Sequence, residues 1–115
     1  MSEHFEPSWV FTLWKDNETM KVRPFRGYRF YFMDDSGNSF SIHVYKRNNG
    51  HWIVSCPLTG LSVCEGSTRK IAVYNFMNFY RNTYTHYIMT YSNVPELVKA
   101  FQKAMDEYMQ GGEQC

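Results

Sequence analysis

The sequence predicts an α+β fold, an antiparallel meander sheet of about five to six strands packed with two helices. The predicted order is five strands, a helix, an optional sixth strand and a second helix. Three observations carry this. Runs rich in aromatic and β-branched residues at 28–33, 40–45, 52–56 and 61–64 are separated by short loops that end in glycine. All three loops put the apolar residues on one face. Helical spacing then takes over at 68–82 and again at 94–110.

The loop lengths follow from alternation, because strand faces repeat every second residue. Phe40, Ile42 and Val44 meet Trp52, Val54 and Cys56 on one side if Val44 opposes Val54. That leaves a three-residue loop, Asn48-Asn49-Gly50, of the type closed by a left-handed residue. A two-residue Asn49-Gly50 turn would split the apolar set. Upstream, Phe32 opposite Phe40 leaves Asp35-Ser36-Gly37. Downstream, the loop Pro57-Leu58-Thr59-Gly60 pairs Cys56 with Leu61 and Val54 with Val63. The core face is then Phe40, Ile42, Val44, Trp52, Val54 and Leu61. The other face holds Arg29, Tyr31, Ser41, His43, Tyr45, Ile53, Ser55, Ser62 and Cys64. It is mixed and aromatic, so a second layer or a partner covers it.

The remaining elements follow in order. Residues 1–7 read as a loose arm ending in Pro7. Residues 9–14 alternate Trp9, Phe11 and Leu13 against Val10, Thr12 and Trp14, as a strand does. Residues 20–23 form a short edge strand that Pro24 stops, and Phe25-Arg26-Gly27 bends into the meander. Ser67 or Thr68 caps the helix at 68–82, whose broad stripe (Ala72, Val73, Phe76, Met77, Phe79, Tyr80) suits a helix lying on a sheet. The β-branched and aromatic content of 83–91 predicts a strand, with helix continuation as the competing reading. Asn93, Pro95 and Glu96 start the last helix, with Val94, Leu97, Val98, Phe101, Met105, Tyr108 and Met109 in helical period. Gly111-Gly112 ends it.

At 115 residues the chain fits one domain, with 1–7 and 111–115 as its expected flexible ends. A net charge of +1 argues against a general polyanion binder. The charge is uneven: residues 15–81 hold ten Lys/Arg against five Asp/Glu, and both ends are slightly acidic. Three cysteines, an odd number, with no leader-like stretch predict a reducing, cytoplasmic compartment. No apolar run reaches membrane-spanning length.

Chemistry-bearing motifs are sparse. There is no C-x-x-C, H-E-x-x-H or G-x-S-x-G, and the paired acids Asp34-Asp35 and Asp106-Glu107 read as solvated. The expectation is therefore no enzyme, no catalytic residue, no cofactor and no metal. Ser67, Thr68, Arg69 and Lys70 form a candidate anion site at the opening of a helix, without the spacing of a Walker loop. Between Lys21 and Phe32 four cations interleave with aromatic rings, a composition that suits stacked bases and phosphates. The candidate partner-binding residues are Arg23, Arg26, Arg29, Tyr31, His43, Tyr45, Lys46, Arg47 and Ile53.

The three-stranded meander followed by a helix, with Trp52 after a basic turn, resembles the arm-binding domains of phage-type integrases over about half of the chain. That resemblance implies a DNA-reading sheet. Small size, near-neutral charge and an aromatic content of 18% favour instead a non-enzymatic protein-binding module. The expected type is a stoichiometric inhibitor or adaptor carried by a phage or mobile element, with a host-defence nuclease as one target class. The alternative is a DNA- or RNA-binding module using the basic middle. An edge strand at 9–14 is compatible with a homodimer.

Facing directions in the meander separate Cys56 from Cys64, so no bridge is expected. Thiol titration of unfolded, unreduced protein should find all three cysteines free; finding a single thiol would refute the loop assignment at 57–60.

Overall fold

The structure is a computed structural model that describes residues 5–91 and 95–113. Five strands, β1 (Phe5–Asp16), β2 (Thr19–Met33), β3 (Ser39–Lys46), β4 (Trp52–Ser55) and β5 (Ser62–Gly66), form one antiparallel sheet in sequential order. A helix follows in three continuous parts: α1 (Arg69–Asn75), a π-helical turn (Phe76–Tyr80) and α2 (Arg81–Tyr91). A second helix, α3 (Pro95–Glu113), completes the α+β arrangement. The expected cap Asn93 and apolar position Val94 lie outside the described residues, as does Cys115.

The central register is the expected one. Phe32 opposes Phe40 and Val44 opposes Val54. The first two loops end on glycines with positive φ, Gly37 at 87° and Gly50 at 89°. At the third, Cys56 N–H donates to Leu61 O at 2.9 Å. Beyond that bond the pairing departs from expectation. A bulge between Val54 and Ser55 puts Cys64, not Val63, opposite Val54. Cys64 therefore sits on the core face, its thiol 3.8 Å from Ala72 O, rather than on the outer face. Burial, helped by Glu65, pushes that thiol up to about 11.

The first two strands are longer than expected. Residues 5–7 belong to β1, and β2 runs through Pro24 without a break. Pairing of β2 with β3 begins only at Gly27, so residues 19–26 hydrogen-bond to β1 alone. On that free side a proline lacks nothing the ladder needs. The bend falls at Gly27, where a Cβ would collide with the Val44 carbonyl oxygen and stand 2.9 Å from Val10 Cγ2.

That bend folds the far half of the β1–β2 hairpin over the outer face of β3 and β4. Val10, Phe25, Tyr45 and Ile53 form a core there, with the Phe25 and Tyr45 rings 4.5 Å apart. Trp14 carries two guanidinium groups, Arg23 at 4.6 Å and Arg47, from the β3–β4 loop, at 5.0 Å. Leu13 N–H donates to Gly60 O at 2.9 Å. Gly60 has φ +71° and no room for a Cβ, which would stand 2.6 Å from the Phe101 ring. The back of the hairpin, Leu13 and Val22, packs on Phe101 and Ala104 of α3. Leu61 joins this second core rather than the first.

The principal core lies on the inner sheet face, where Phe30, Phe32, Ile42, Val44 and Val54 pack on Ala72, Val73, Phe76 and Tyr84. Thr68 Oγ1 accepts the Ile71 N–H at 3.1 Å and caps the helix. Residues 83–91 are helical, not a strand. Helix continuation buries Tyr84 and Thr85, and Tyr84 OH donates to Ser41 O at 3.2 Å. Tertiary packing overrides the β propensity of this segment. Similarly α3 runs through Gly111-Gly112 to Glu113.

Gly27→Ala should destabilise the protein by roughly 2–3 kcal/mol, because the rigid Val44 carbonyl, with the Val10 side chain beside it, blocks the added methyl. Denaturant midpoints of the two proteins test this; an unchanged midpoint would mean that the hairpin does not fold back at Gly27.

Candidate binding surface

The residues expected to form one partner face are divided by the bend into separate environments. Tyr45 and Ile53 are 1% and 2% exposed, roofed by the hairpin, and no partner reaches them. The second layer that the mixed face called for is the chain's own hairpin.

At the other end of the same face, Arg29 is half-buried and Tyr31 exposed, while His43 is buried. The Arg29 guanidinium donates to His43 Nε2, with Nε at 3.4 Å. An accepting Nε2 leaves the proton on Nδ1, which is buried without a hydrogen-bond partner. Ser55, directly opposite His43 across the ladder, has a buried Oγ that is also unpartnered. Burial and the neighbouring Arg29 charge lower the His43 pKa to about 4. The imidazole is neutral at physiological pH and serves as an acceptor for Arg29.

Arg23 and Arg47 lie around Trp14, where they tie the hairpin to the β3–β4 loop. Trp14 is held in place by its Nε1–H, which donates to Thr12 Oγ1 at 2.6 Å. These cations are bound up in the fold more than expected, although Arg23 remains exposed.

Arg26 alternates to the opposite face of β2. Its guanidinium lies 4.8 Å from the ring centre of Trp9, its cross-strand partner. Two residues along, Tyr28 and Phe5 both carry Arg69 from the start of α1, at 4.6 and 4.3 Å. The sequence therefore named the cations of this cluster, Arg26 and Arg69, without its rings. Trp9 is 51% exposed, and Phe5 and Tyr28 are half-buried. Phe5 lies within the segment expected to be a loose arm, and Tyr28 opens the strand expected at 28–33. The alternation of β1, extended back through Pro7, was the signal that could have found them.

Ser67, Thr68 and Lys70 are exposed. Thr68 Oγ1 accepts the Ile71 N–H as the helix cap, and the Arg69 guanidinium lies over the Phe5 and Tyr28 rings. Lys46 is exposed at the end of β3, opposite Trp52.

Among the described residues, no three His, Cys, Asp or Glu side chains converge to hold a metal ion, and no helix is long and apolar enough to cross a membrane. Comparison with protein-family models, curated proteins and solved structures finds no match to this chain.

His43 gives the fold a defined acid sensitivity. Its folded pKa of about 4 lies below the ordinary 6.5, so the unfolded chain binds the proton first. Stability from this group is complete above pH 6.5 and falls as the pH drops toward 4. Denaturant midpoints measured across that window should fall for the parent protein and fall less for His43→Gln. Parallel slopes would show that the imidazole is not held neutral.

Proposed function

We propose that this chain is a small non-enzymatic binding module, a stoichiometric inhibitor or adaptor, that captures a protein partner through the cation–aromatic face of its first hairpin. The observation that supports this most directly is the surface stack of Arg26 on a half-exposed Trp9, beside Arg69 on Phe5 and Tyr28. Arg, Trp and Tyr supply most of the binding energy where they become desolvated at an interface centre. Here they are held in place before any partner arrives, which lowers the entropic cost of ordering them.

A nucleic-acid ligand is the second reading. It is favoured by the same interleaving of cations and rings, since phosphates and bases use both. The two readings differ in salt response. Phosphate contacts release counterions and weaken steeply with salt, whereas a desolvated protein interface does so less.

The test is capture from a lysate of the native host, with and without nuclease. A single protein retained after nuclease and at elevated salt is expected. Trp9→Ala should weaken its binding by about 1–3 kcal/mol without loss of fold. Capture that nuclease abolishes would replace the protein reading with the nucleic-acid one.

A further inference from the structure

The face that carries Trp9 continues across the sheet beyond the end of α1. Strand alternation puts Trp9 of β1, Arg26 and Tyr28 of β2, Lys46 of β3 and Trp52 of β4 on the side where α1 packs. Helix α1 covers Val44 and Val54 on this side, Trp52 packs half-buried at the margin of that core, and Trp9, Arg26 and Lys46 are exposed. The Tyr28 and Trp52 rings lie 6.3 Å apart, so the apolar floor is continuous from Phe5 to β4.

Three cations border this floor: Arg26 on Trp9, Lys46 opposite Trp52, and Arg69 on Phe5 and Tyr28. Among the described residues none of them is joined to a carboxylate, whereas Arg81 pairs with Asp35 and His51 lies 3.8 Å from Glu65. The flanking acids alternate away. Glu6 pairs with Arg29 and Glu65 with Ile53, both on the opposite face. The result is an unneutralised positive face with an aromatic floor.

We infer that this face takes an acidic polypeptide segment, carboxylates interspersed with apolar side chains, laid across the row from Trp9 to Trp52. The inference rests on the protein-binding reading above and names the partner's chemistry. A guanidinium lying on a ring keeps its in-plane N–H groups for an incoming anion, and a carboxylate meets that fork in bidentate fashion. Apolar side chains between the carboxylates cover Tyr28 and Trp52. The choice of carboxylate over phosphate follows from the rings. Arg26 and Arg69 already occupy faces of Trp9, Phe5 and Tyr28, which stacked bases would need. The whole chain, at +1, also exerts little long-range pull on a polyanion.

Fluorescence anisotropy on the full chain tests this. The probe is a fluorescein-labelled peptide of roughly ten residues, glutamates interspersed with phenylalanine, which at about 3.3 Å per residue spans the row. A labelled single-stranded oligothymidine is the competitor. The peptide should bind at low salt, more tightly than the oligothymidine. Arg26→Glu combined with Lys46→Glu should weaken it on the order of tenfold or more, and Arg23→Glu, on the opposite face, should leave it unchanged. Both mutated side chains are exposed. The neutral pair Arg26→Gln and Lys46→Gln, expected to give a smaller loss in the same direction, guards against misfolding, with denaturant midpoints as the check. Failure of the peptide to bind, or equal binding by the folded charge-reversed variant, would overturn the inference. If that variant still captures a nuclease-resistant host protein, the acidic-segment inference falls and the protein-binding reading stands. If oligothymidine binds more tightly and loses affinity with the same substitutions, and host capture requires nucleic acid, both fall.

Discussion

The close approach of β2 to β3 at Gly27 is the constraint on which the rest of the structure depends. With no Cβ, Gly27 lets the strand pass over the Val44 carbonyl and turn back across the sheet. Everything beyond that point is positioned by the turn. Tyr45 and Ile53 acquire their roof of Val10 and Phe25, Trp14 reaches Arg47, and Leu13 reaches the Gly60 carbonyl. The seat of α3 is made by the back of the same hairpin. A straight β2 would leave two buried side chains of the outer face in water and α3 without a partner. Burial of a large side chain is worth about 1.5–3 kcal/mol, so the bend is held by several such terms at once.

The helix that covers the inner face shows a second fitted detail. Phe76 and Tyr84 both pack on Phe32, with ring centres 5.1 and 6.2 Å away. Residues eight apart on a regular α-helix point about 80° apart, whereas seven apart differ by only about 20°. The π-helical turn at Phe76–Tyr80 absorbs the additional residue and brings the two rings onto one phenylalanine. It also lets α2 continue along the sheet to Ser41, and Arg81 pairs with Asp35 of the β2–β3 turn at 3.1 Å. The direction of this helix sets where α1 begins, and so where Arg69 meets the hairpin.

Much of the meander was legible because alternation and loop length constrain each other. Val44 opposite Val54 followed from a single test, whether the apolar residues share a side. What alternation does not encode is curvature. It assigned Tyr45 and Ile53 to the outer face correctly, yet it could not show that β1 and β2 fold back to cover them. Pro24 was read as a stop because strand propensity penalises a missing donor, and that penalty vanishes where only one neighbour is paired. The bulge at Val54 and Ser55 displaced Cys64 to the core side, which a strict period of two cannot anticipate. Of the candidate site, the charges were visible and their partners were not. Arg26 and Arg69 lie 43 positions apart in the sequence, and only the closed fold brings their rings together.

Under the proposed binding role, the stacked arginines contribute to recognition more than to stability. An exposed cation–π contact contributes roughly 0.5–1 kcal/mol, too little to justify gathering three cations on one side of a nearly neutral chain. The fold could reach the same stability with those rings buried under aliphatic side chains. Keeping Trp9 open beneath Arg26, and directing Glu6 and Glu65 to the other face, leaves charge of one sign uncompensated. Like charges held together in the folded state repel, and an anionic partner of the kind proposed would relieve that repulsion. The folded chain thus keeps as a small electrostatic penalty what a complementary surface would recover as binding energy.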